Sequence, residues 1–164
     1  MRILGIDPGC RATGYGLIEA QSRSPRALAW GVIRPRAGDP LPERLAFLFQ
    51  KLEDLILTLA PQVLALEEVI PERFPRAALS LGQAQGVVLV LAARHGLPVR
   101  TYHPSAVKLA LTGNGRARKE EVAFMVRATL GLAESLPRDA SDALALALTH
   151  LYGETRCWPR SAGV

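Results

Sequence analysis

Four acidic residues in this 164-residue chain lie where carboxylates could do chemistry together. Asp7 ends one short apolar run, and Glu67 ends another. Asp139 and Asp142 are three residues apart, so within a helix they share one face. Clustered carboxylates repel each other unless cations bind among them. Oxygen ligands without His or Cys favour hard ions, which predicts Mg²⁺ or Mn²⁺ rather than zinc.

Each of these acids also has an ordinary structural explanation. Asp7 precedes a Pro-Gly pair and could simply begin a turn. Glu67 and its neighbour Glu68 could be solvated acids at the end of a strand. Asp139 and Asp142 could cap the start of a helix. Only their meeting at one place would distinguish a metal site from these alternatives.

The charge of the chain suits a nucleic-acid substrate. Two hard cations ~4 Å apart can activate a water molecule and stabilise the leaving oxygen in phosphodiester cleavage. The formal net charge is +5 and the pI about 9.8, which favours a polyanionic partner over a merely solvated basic surface. Between residues 73 and 119 there is no acidic residue, so the charge of this stretch is 8 − 0 = +8, from Arg73, Arg76, Arg94, Arg100, Lys108, Arg116, Arg118 and Lys119. Charge alone does not distinguish DNA from RNA, or binding from cleavage.

Length and composition indicate one domain with a substantial core. Hydrophobic residues make up 49% of the chain, but no apolar run approaches the roughly 20 residues that span a membrane. Arg2 and the early Asp7 argue against a signal peptide. Cys10 and Cys157 are far apart and lack zinc-site spacing, which fits a reducing cytoplasm. We expect a nuclease domain over residues 1–152 and a mobile C-terminal tail over residues 153–164.

The first half of the chain predicts how Asp7 and Glu67 are positioned. Residues 2–7, 14–18 and 27–33 are predicted strands joined by short links, as in an antiparallel meander. Leucines at helical spacing predict an amphipathic helix over residues 41–59. Because a helix between two strands suits a crossover, the apolar run that ends at Glu67 should lie parallel to the first strand. Either Glu67 or Glu68 would then approach Asp7.

The second half predicts helices with one further strand. Residues 77–93 are apolar on every side, which predicts a buried helix packed on the sheet, on a second subunit, or on both. Residues 97–102 are a predicted strand, and a short helix from Pro104 carries Lys108. A glycine loop then precedes Arg116, Arg118 and Lys119 at a helix start, an arrangement suited to phosphate.

These elements together describe a fold class. A last buried helix follows Asp139 and Asp142 over residues 143–150. Three antiparallel strands, a crossover helix, two parallel strands and a C-terminal helix describe an α/β ribonuclease-H-like fold with a five-stranded mixed sheet. One loop adds a possible nucleic-acid contact, because Phe74 lies between Arg73 and Arg76 and could stack on a base. A Phe that caps the core at a helix entrance is an equal alternative.

Several separate motifs resemble the bacterial RuvC-type Holliday-junction resolvases. The resemblance runs in one register from residue 1 to about residue 150. It is carried by residues 3–9 (Ile-Leu-Gly-Ile-Asp-Pro-Gly), 13–16 (Thr-Gly-Tyr-Gly), 65–69 (Ala-Leu-Glu-Glu-Val), 81–86 (Leu-Gly-Gln-Ala-Gln-Gly), 107–108 (Val-Lys) and 139–145 (Asp-Ala-Ser-Asp-Ala-Leu-Ala).

This resemblance implies a homodimeric, Mg²⁺-dependent crossover junction endodeoxyribonuclease of recombination and repair. Such an enzyme makes paired nicks in two like-polarity strands of a four-way DNA junction, leaving 5′-phosphate and 3′-hydroxyl ends. The resemblance also implies partnership with a junction-binding and branch-migration complex of the RuvA and RuvB type. The family's functional residues fall on Asp7, Glu67, Asp139, Asp142, Lys108 and Lys119.

The resemblance leads to specific expectations for each residue. Asp7 would bridge two Mg²⁺ ions, Glu67 and Asp142 would each help to hold one, and Asp139 would complete the site or orient a bound water. Lys119 and Lys108 would neutralise phosphate charge in the transition state. Where some members of that family have an aromatic wedge soon after the catalytic Glu, this chain has Ile70, and Phe74 is the candidate for that role. The predicted DNA contacts are Arg73, Phe74, Arg76, Lys108, Arg116, Arg118 and Lys119.

Three other functions remain open from the sequence. An ATP-binding protein of the sugar-kinase and actin type also opens with a strand, an Asp-x-Gly and a further glycine, but it normally needs two such domains. A noncatalytic junction-binding protein would keep the basic stretch without needing the acids. A related ribonuclease-H-fold enzyme could process RNA instead. Cleavage of a four-way DNA junction, of linear duplex and of structured RNA would separate these possibilities.

Overall fold

A computed structural model describes residues 1–21, 24–69 and 75–155, with side chains for all of these except 21, 75–77 and 155. The described chain forms five strands and five helices. In order they are β1 (Arg2–Asp7), β2 (Thr13–Gln21), β3 (Ser24–Ile33), α1 (Leu41–Leu59), β4 (Val63–Glu67), α2 (Pro75–Arg94), β5 (Val99–Tyr102), α3 (Pro104–Thr112), α4 (Lys119–Leu130) and α5 (Arg138–Thr155).

The strands form one mixed sheet in the order β3-β2-β1-β4-β5. β1 pairs antiparallel with β2, and β2 pairs antiparallel with β3. On its other side β1 pairs parallel with β4, because α1 returns the chain to the starting edge between them. β4 in turn pairs parallel with β5. The predicted ribonuclease-H-like architecture is confirmed, and β1 is its central strand.

Alternation along β1 and β4 separates the core into two layers. Ile3 belongs to the layer between the sheet and α3, α4 and α5, whereas Leu4 and Ile6 belong to the layer beneath α1 and α2. These side chains are fully buried. At about 1.5–3 kcal/mol per buried aliphatic side chain, both layers contribute strongly to holding the helices on the sheet. A 2.6 Å contact between the Tyr102 hydroxyl and His150 Nδ1 also joins β5 to α5.

Glycines on β1 and β2 let α5 approach the sheet closely. A methyl group added at Gly5 would collide with the backbone carbonyl of Ala143, and one at Gly14 with that of Asp139. One added at Gly16 would meet the Leu144 side chain at 2.6 Å. Gly14 and Gly16 are thus positions where β2 packs tightly against α5. The start of α5 therefore lies directly over the paired glycines of the two strands.

Several boundaries differ from the sequence prediction. β2 and β3 extend to Gln21 and from Ser24, so the polar link between them is shorter than expected. α5 continues to Thr155, so the first three residues of the predicted tail are helical, and the rest of that tail lies outside the described residues. Within the described ranges, no helix is both long and apolar enough to cross a membrane.

Residues 77–93 are helical as predicted, and part of this helix is buried within the chain. α2 begins at Pro75 and does pack against α1. However, the side chains of Leu79, Leu89 and Val90 are exposed. α2 shares a core layer with the sheet on one side and packs against α1 on another, which leaves its far side uncovered by the described residues. α2 therefore presents an apolar surface to solvent within a single copy of the chain.

Candidate active site

The carboxylates of Asp7 and Glu67 lie at the same edge and on the same face of the sheet. Their strands are parallel neighbours, with Ile6 opposite Leu66, so both strands end at one edge. Alternation from Ala65 places Glu67 on the face covered by α5, the face that Asp7 shares through Gly5. Glu68 follows the strand and alternates to the other face. The geometry thereby distinguishes the two glutamates independently of any family resemblance.

The first turn of α5 brings a third carboxylate to this edge. Asp142 lines a cleft of about 210 Å³ together with Asp7 and Glu67. The other walls come from α3, α4 and α5, through Pro104, Val107, Lys108, Lys119, Val122, Ala145 and Leu146. Residues separated widely in sequence therefore meet in one cleft, as predicted from their positions at element ends.

Asp139 lies one turn earlier on α5, beside the cleft rather than in its lining. Its backbone packs against Gly14, the residue opposite Asp7 in the β1–β2 pair. Its negative charge raises the pKa of Asp7, although less than the charges of Asp142 and Glu67 do. All four predicted acids thus interact at one end of the sheet, with Asp139 at the side nearest β2 and β3.

The crowding of negative charge changes the ionisation of two of these groups. The pKa of Asp7 is raised from 3.8 to about 7, first by burial and then by the negative charges of Asp142, Glu67 and Asp139. The pKa of Glu67 is also raised, first by burial and then by Asp142, whereas Lys119 and His103 lower it. A site that makes its central carboxylate hard to ionise lacks positive charge, which is what bound cations would supply.

Two cations pair with the aspartates of α5. Lys119 Nζ lies 3.5 Å from Asp142 Oδ2, and the Arg34 guanidinium lies 3.8 Å from Asp139 Oδ2. Lys119 was predicted at the site, but Arg34 and His103 were not. Both directly follow strands whose C-terminal ends share the edge with Asp7, so strand topology is the signal that could have found them.

The turn after Asp7 is fixed by hydrogen bonds of one buried side chain. The Thr13 hydroxyl donates to the Gly9 carbonyl at 2.9 Å and accepts from the Gly9 N–H at 3.1 Å. Thr13 is 1% exposed, so these bonds are shielded from water. The Pro-Gly turn therefore holds the end of β1, and Asp7 with it, in a single position.

The donor set fits a hard divalent cation better than a soft one. The anionic groups that line the cleft are carboxylates, and Cys10, the cysteine within the described residues, is not among its lining residues. Across the described part of the chain, no three acidic, histidine or cysteine side chains already converge tightly enough to ligate one ion.

The predicted DNA contacts are only partly described. Lys108 lines the acidic cleft from α3. Arg116 and Arg118 are exposed beside the start of α4, where the Arg118 N–H donates to the Glu121 carboxylate at 2.6 Å. Arg76 lies in the first turn of α2, without a described side chain. The predictions for Ile70, Arg73 and Phe74 fall outside the described residues.

Comparison with known proteins decides the family. The family model for crossover junction endodeoxyribonuclease RuvC matches residues 3–150. This chain belongs to the RuvC family. RuvC of Alkalilimnicola ehrlichii is 46% identical over 92% of this chain and 91% of the relative. RuvC of Moorella thermoacetica is 48% identical over 92% of this chain and 90% of the relative.

Structural similarity agrees with this assignment. T. thermophilus RuvC in complex with Holliday junction substrate superposes with a TM-score of 0.88 and 38% identity, over 94% of both chains. The yeast mitochondrial Holliday junction resolvase Ydc2 has a TM-score of 0.65 at 15% identity, over 92% of this chain and 78% of that one, which supports the shared fold alone. Membership of the RuvC nuclease family implies the use of a divalent metal ion.

Proposed function

We propose that this chain is the Holliday-junction resolvase of its organism, a structure-selective endonuclease that acts in recombination and repair. The convergence of Asp7, Glu67 and Asp142 in one cleft, beside Lys108 and Lys119, carries the proposal. The T. thermophilus relative of this fold was captured with a Holliday junction substrate. The expected reaction is a pair of symmetric nicks that leave 5′-phosphate and 3′-hydroxyl ends.

The four carboxylates would hold two Mg²⁺ ions per site, for which Mn²⁺ could substitute. Asp7 is the central ligand, because it lies on the central strand and interacts electrostatically with each of the other three acids. Glu67 and Asp142 approach it from β4 and α5, and Asp139 completes the set. When bound, the ions would activate the attacking water and stabilise the leaving oxygen.

The proposed role of the two lysines in the cleft is to stabilise the negative charge of the scissile phosphate. Lys119, at the start of α4, is 57% exposed and is held toward the acids by its ion pair with Asp142. Lys108 reaches the same cleft from α3. A cation placed beside the scissile phosphate stabilises negative charge that grows in the transition state. Arg116 and Arg118 extend this positive surface along the DNA, and Arg73, Phe74 and Arg76 are proposed contacts beyond it.

The exposed side of α2 supports a homodimer. Leu79 is 67% exposed and Val90 is 54% exposed, although both belong to a largely apolar helix. Methyl groups added at Gly82 or Gly86 would meet no atom within 4 Å, so a second helix could approach closely. A two-fold dimer would present two identical sites, which matches the two-fold symmetry of a four-way junction.

The remaining assignments follow from this function. The substrate is chromosomal DNA, so we propose that the enzyme works in the cytoplasm. A junction-binding and branch-migration complex of the RuvA and RuvB type is the proposed partner. The division into a nuclease domain over residues 1–152 and a mobile tail over residues 153–164 stays a prediction, except that residues 153–155 form the last part of α5.

Cleavage of a synthetic four-way DNA junction tests the proposal. The wild-type protein should nick the junction in the presence of Mg²⁺ or Mn²⁺ and remain inactive in EDTA. Asp7→Asn should still bind the junction but lose nicking by at least 10³-fold, on the order of what removal of a central electrostatic group costs. Linear duplex and structured RNA, assayed in parallel, are the control substrates.

The outcomes separate the alternatives. Binding of the junction without cleavage by the wild type would favour a noncatalytic junction-binding protein. Preferential cleavage of structured RNA would favour an RNA-processing enzyme, and ATP turnover without DNA would favour an ATP-binding protein. Full nicking by Asp7→Asn would overturn the assignment of the active site.

A further inference from the structure

Arg34 lies at the active-site edge of the sheet although it is far from the basic stretch in sequence. It directly follows Ile33, the last residue of β3. Ile33 is opposite Thr13 in the β2–β3 pair, and Gly14 is opposite Asp7 in the β1–β2 pair. The end of β3 therefore lies at the same edge as Asp7, two strands away from it.

The Arg34 side chain makes one ion pair and remains largely in solvent. Its Nη2 lies 3.8 Å from Asp139 Oδ2, and the side chain is 61% exposed. Among the described residues, the guanidinium makes no second ion pair. A guanidinium has five N–H donors in a planar fork, so contact with Asp139 leaves most of them available.

Arg34 and Lys119 lie on opposite sides of the cluster of four acidic residues. Lys119 pairs with Asp142 on the α4 side at 3.5 Å, whereas Arg34 pairs with Asp139 on the β3 side. Asp139 is fixed between them, because its backbone packs against Gly14. A DNA strand that enters the cleft past Lys119 would leave it past Arg34, and its phosphates would need positive charge on both sides of four carboxylates.

We propose that Arg34 binds a backbone phosphate of the cleaved strand, on the β3 side of the acidic cleft. Asp139 orients the guanidinium. The N–H groups that do not face Asp139 donate to the phosphate oxygens in the bidentate geometry that arginine favours. This inference rests on the proposed function, since it concerns how the same site holds its DNA. It adds a contact that the positive stretch at residues 73–119 does not contain.

The salt dependence of junction binding tests the contact. Affinity of the wild type, Arg34→Gln and Arg34→Lys for a four-way junction is measured in EDTA, so that no nicking occurs, over a range of salt concentrations. Each phosphate contact contributes about 0.9 to the slope of log affinity against log salt. Arg34→Gln should weaken binding and lower this slope by about one contact per protomer, whereas Arg34→Lys should keep the slope.

A matched arginine on the same strand is the control. Arg26 is also exposed, but it lies near the start of β3, at the opposite end of the sheet from the acids. Arg26→Gln should leave both affinity and slope at the wild-type values. The thermal unfolding midpoint of Arg34→Gln should match that of the wild type, which separates loss of a DNA contact from loss of structure.

Two failures can be distinguished. If the wild type binds the junction and Arg34→Gln keeps its affinity and slope, the Arg34 contact is wrong while the proposed function stands. The contact is also wrong if Arg26→Gln and Arg34→Gln lower the slope equally, because the effect would then reflect total charge. If the wild type does not bind the junction at all, the proposed function itself fails.

Discussion

The surroundings of the Asp7 carboxyl group favour the binding of a cation, but they reduce the stability of the folded protein when no cation is bound. Its pKa is raised to about 7 by burial and by neighbouring acids, compared with 3.8 for an unperturbed Asp. Because the folded state holds this proton more tightly than the unfolded state does, stability falls as pH rises from about 4 to about 7. Without cations, Asp7 therefore destabilises the protein at neutral and higher pH.

Replacement of Asp7 should stabilise the metal-free protein while it abolishes nicking. At pH 8 in EDTA, Asp7→Asn should raise the free energy of unfolding by about 1–3 kcal/mol, because the buried charge is gone. Urea denaturation of the wild type and the variant measures this difference. Asp54→Asn, an exposed acid on α1, should change stability by less than about 0.5 kcal/mol. Equal destabilisation of both variants would contradict strain at Asp7.

Stabilisation by Mg²⁺ should depend on pH through the same residue. A proton on Asp7 competes with the cation, so apparent affinity should rise up to tenfold per pH unit below about 7 and level off above it. The shift in unfolding temperature on addition of Mg²⁺, measured from pH 5.5 to 8.5, reports this dependence. A shift that stays constant over this range would show that Asp7 does not titrate at the metal site.

At the scale of single residues, the sequence predicted the acidic residues of the site better than the basic ones. Asp7 and Glu67 stood out because each ends an apolar run, which is a local pattern. Arg34 has no such pattern, since its relation to Asp139 depends on the register of three strands. His103 influences Glu67 in the same indirect way. Local sequence patterns do not contain the long-range strand register on which these contacts depend.

The approach of α5 to the sheet is the packing feature that positions both of its aspartates. Gly5→Ala should destabilise the protein by about 3 kcal/mol or more, because the new methyl group would collide with the Ala143 carbonyl on the helix. Gly153→Ala, in the exposed last part of α5, should stabilise it by up to about 1 kcal/mol. Thermal denaturation of both variants measures the contrast. Similar small effects at the two sites would contradict close packing of α5.

The elements themselves were largely predictable, with an instructive exception. The leucine spacing of α1 and the apolar runs of β1 and β4 are strong local signals, and each element formed where expected. The exception is the partner of α2: its apolar sequence predicts that the helix is covered, but does not say whether by the sheet, by a second subunit or by both. The exposed Leu79 and Val90 mark the side of α2 that the described part of the chain leaves uncovered.

Association through α2 is the prediction that concerns the molecule as a whole. If the chain dimerises through α2 as proposed, Leu79→Glu combined with Val90→Glu should convert the dimer to a monomer, because two charges cannot be buried in an apolar interface without partners. Light scattering after size-exclusion chromatography measures the mass. Leu57→Glu is the matched control, since Leu57 is 65% exposed and lies on α1 rather than on α2. Dissociation by the control alone would place the interface elsewhere.

The order of the elements along the chain also sets when the enzyme becomes competent. Asp7 lies on the first strand and Asp142 on the last helix, 142 − 7 = 135 residues later. During synthesis, the sheet can pair before α5 has left the ribosome, but the acidic cleft then lacks one wall and two carboxylates. If Asp139 and Asp142 hold the metal as proposed, a nascent chain that lacks α5 should not nick DNA. The order of the chain would then delay nuclease activity until α5 has packed onto the sheet.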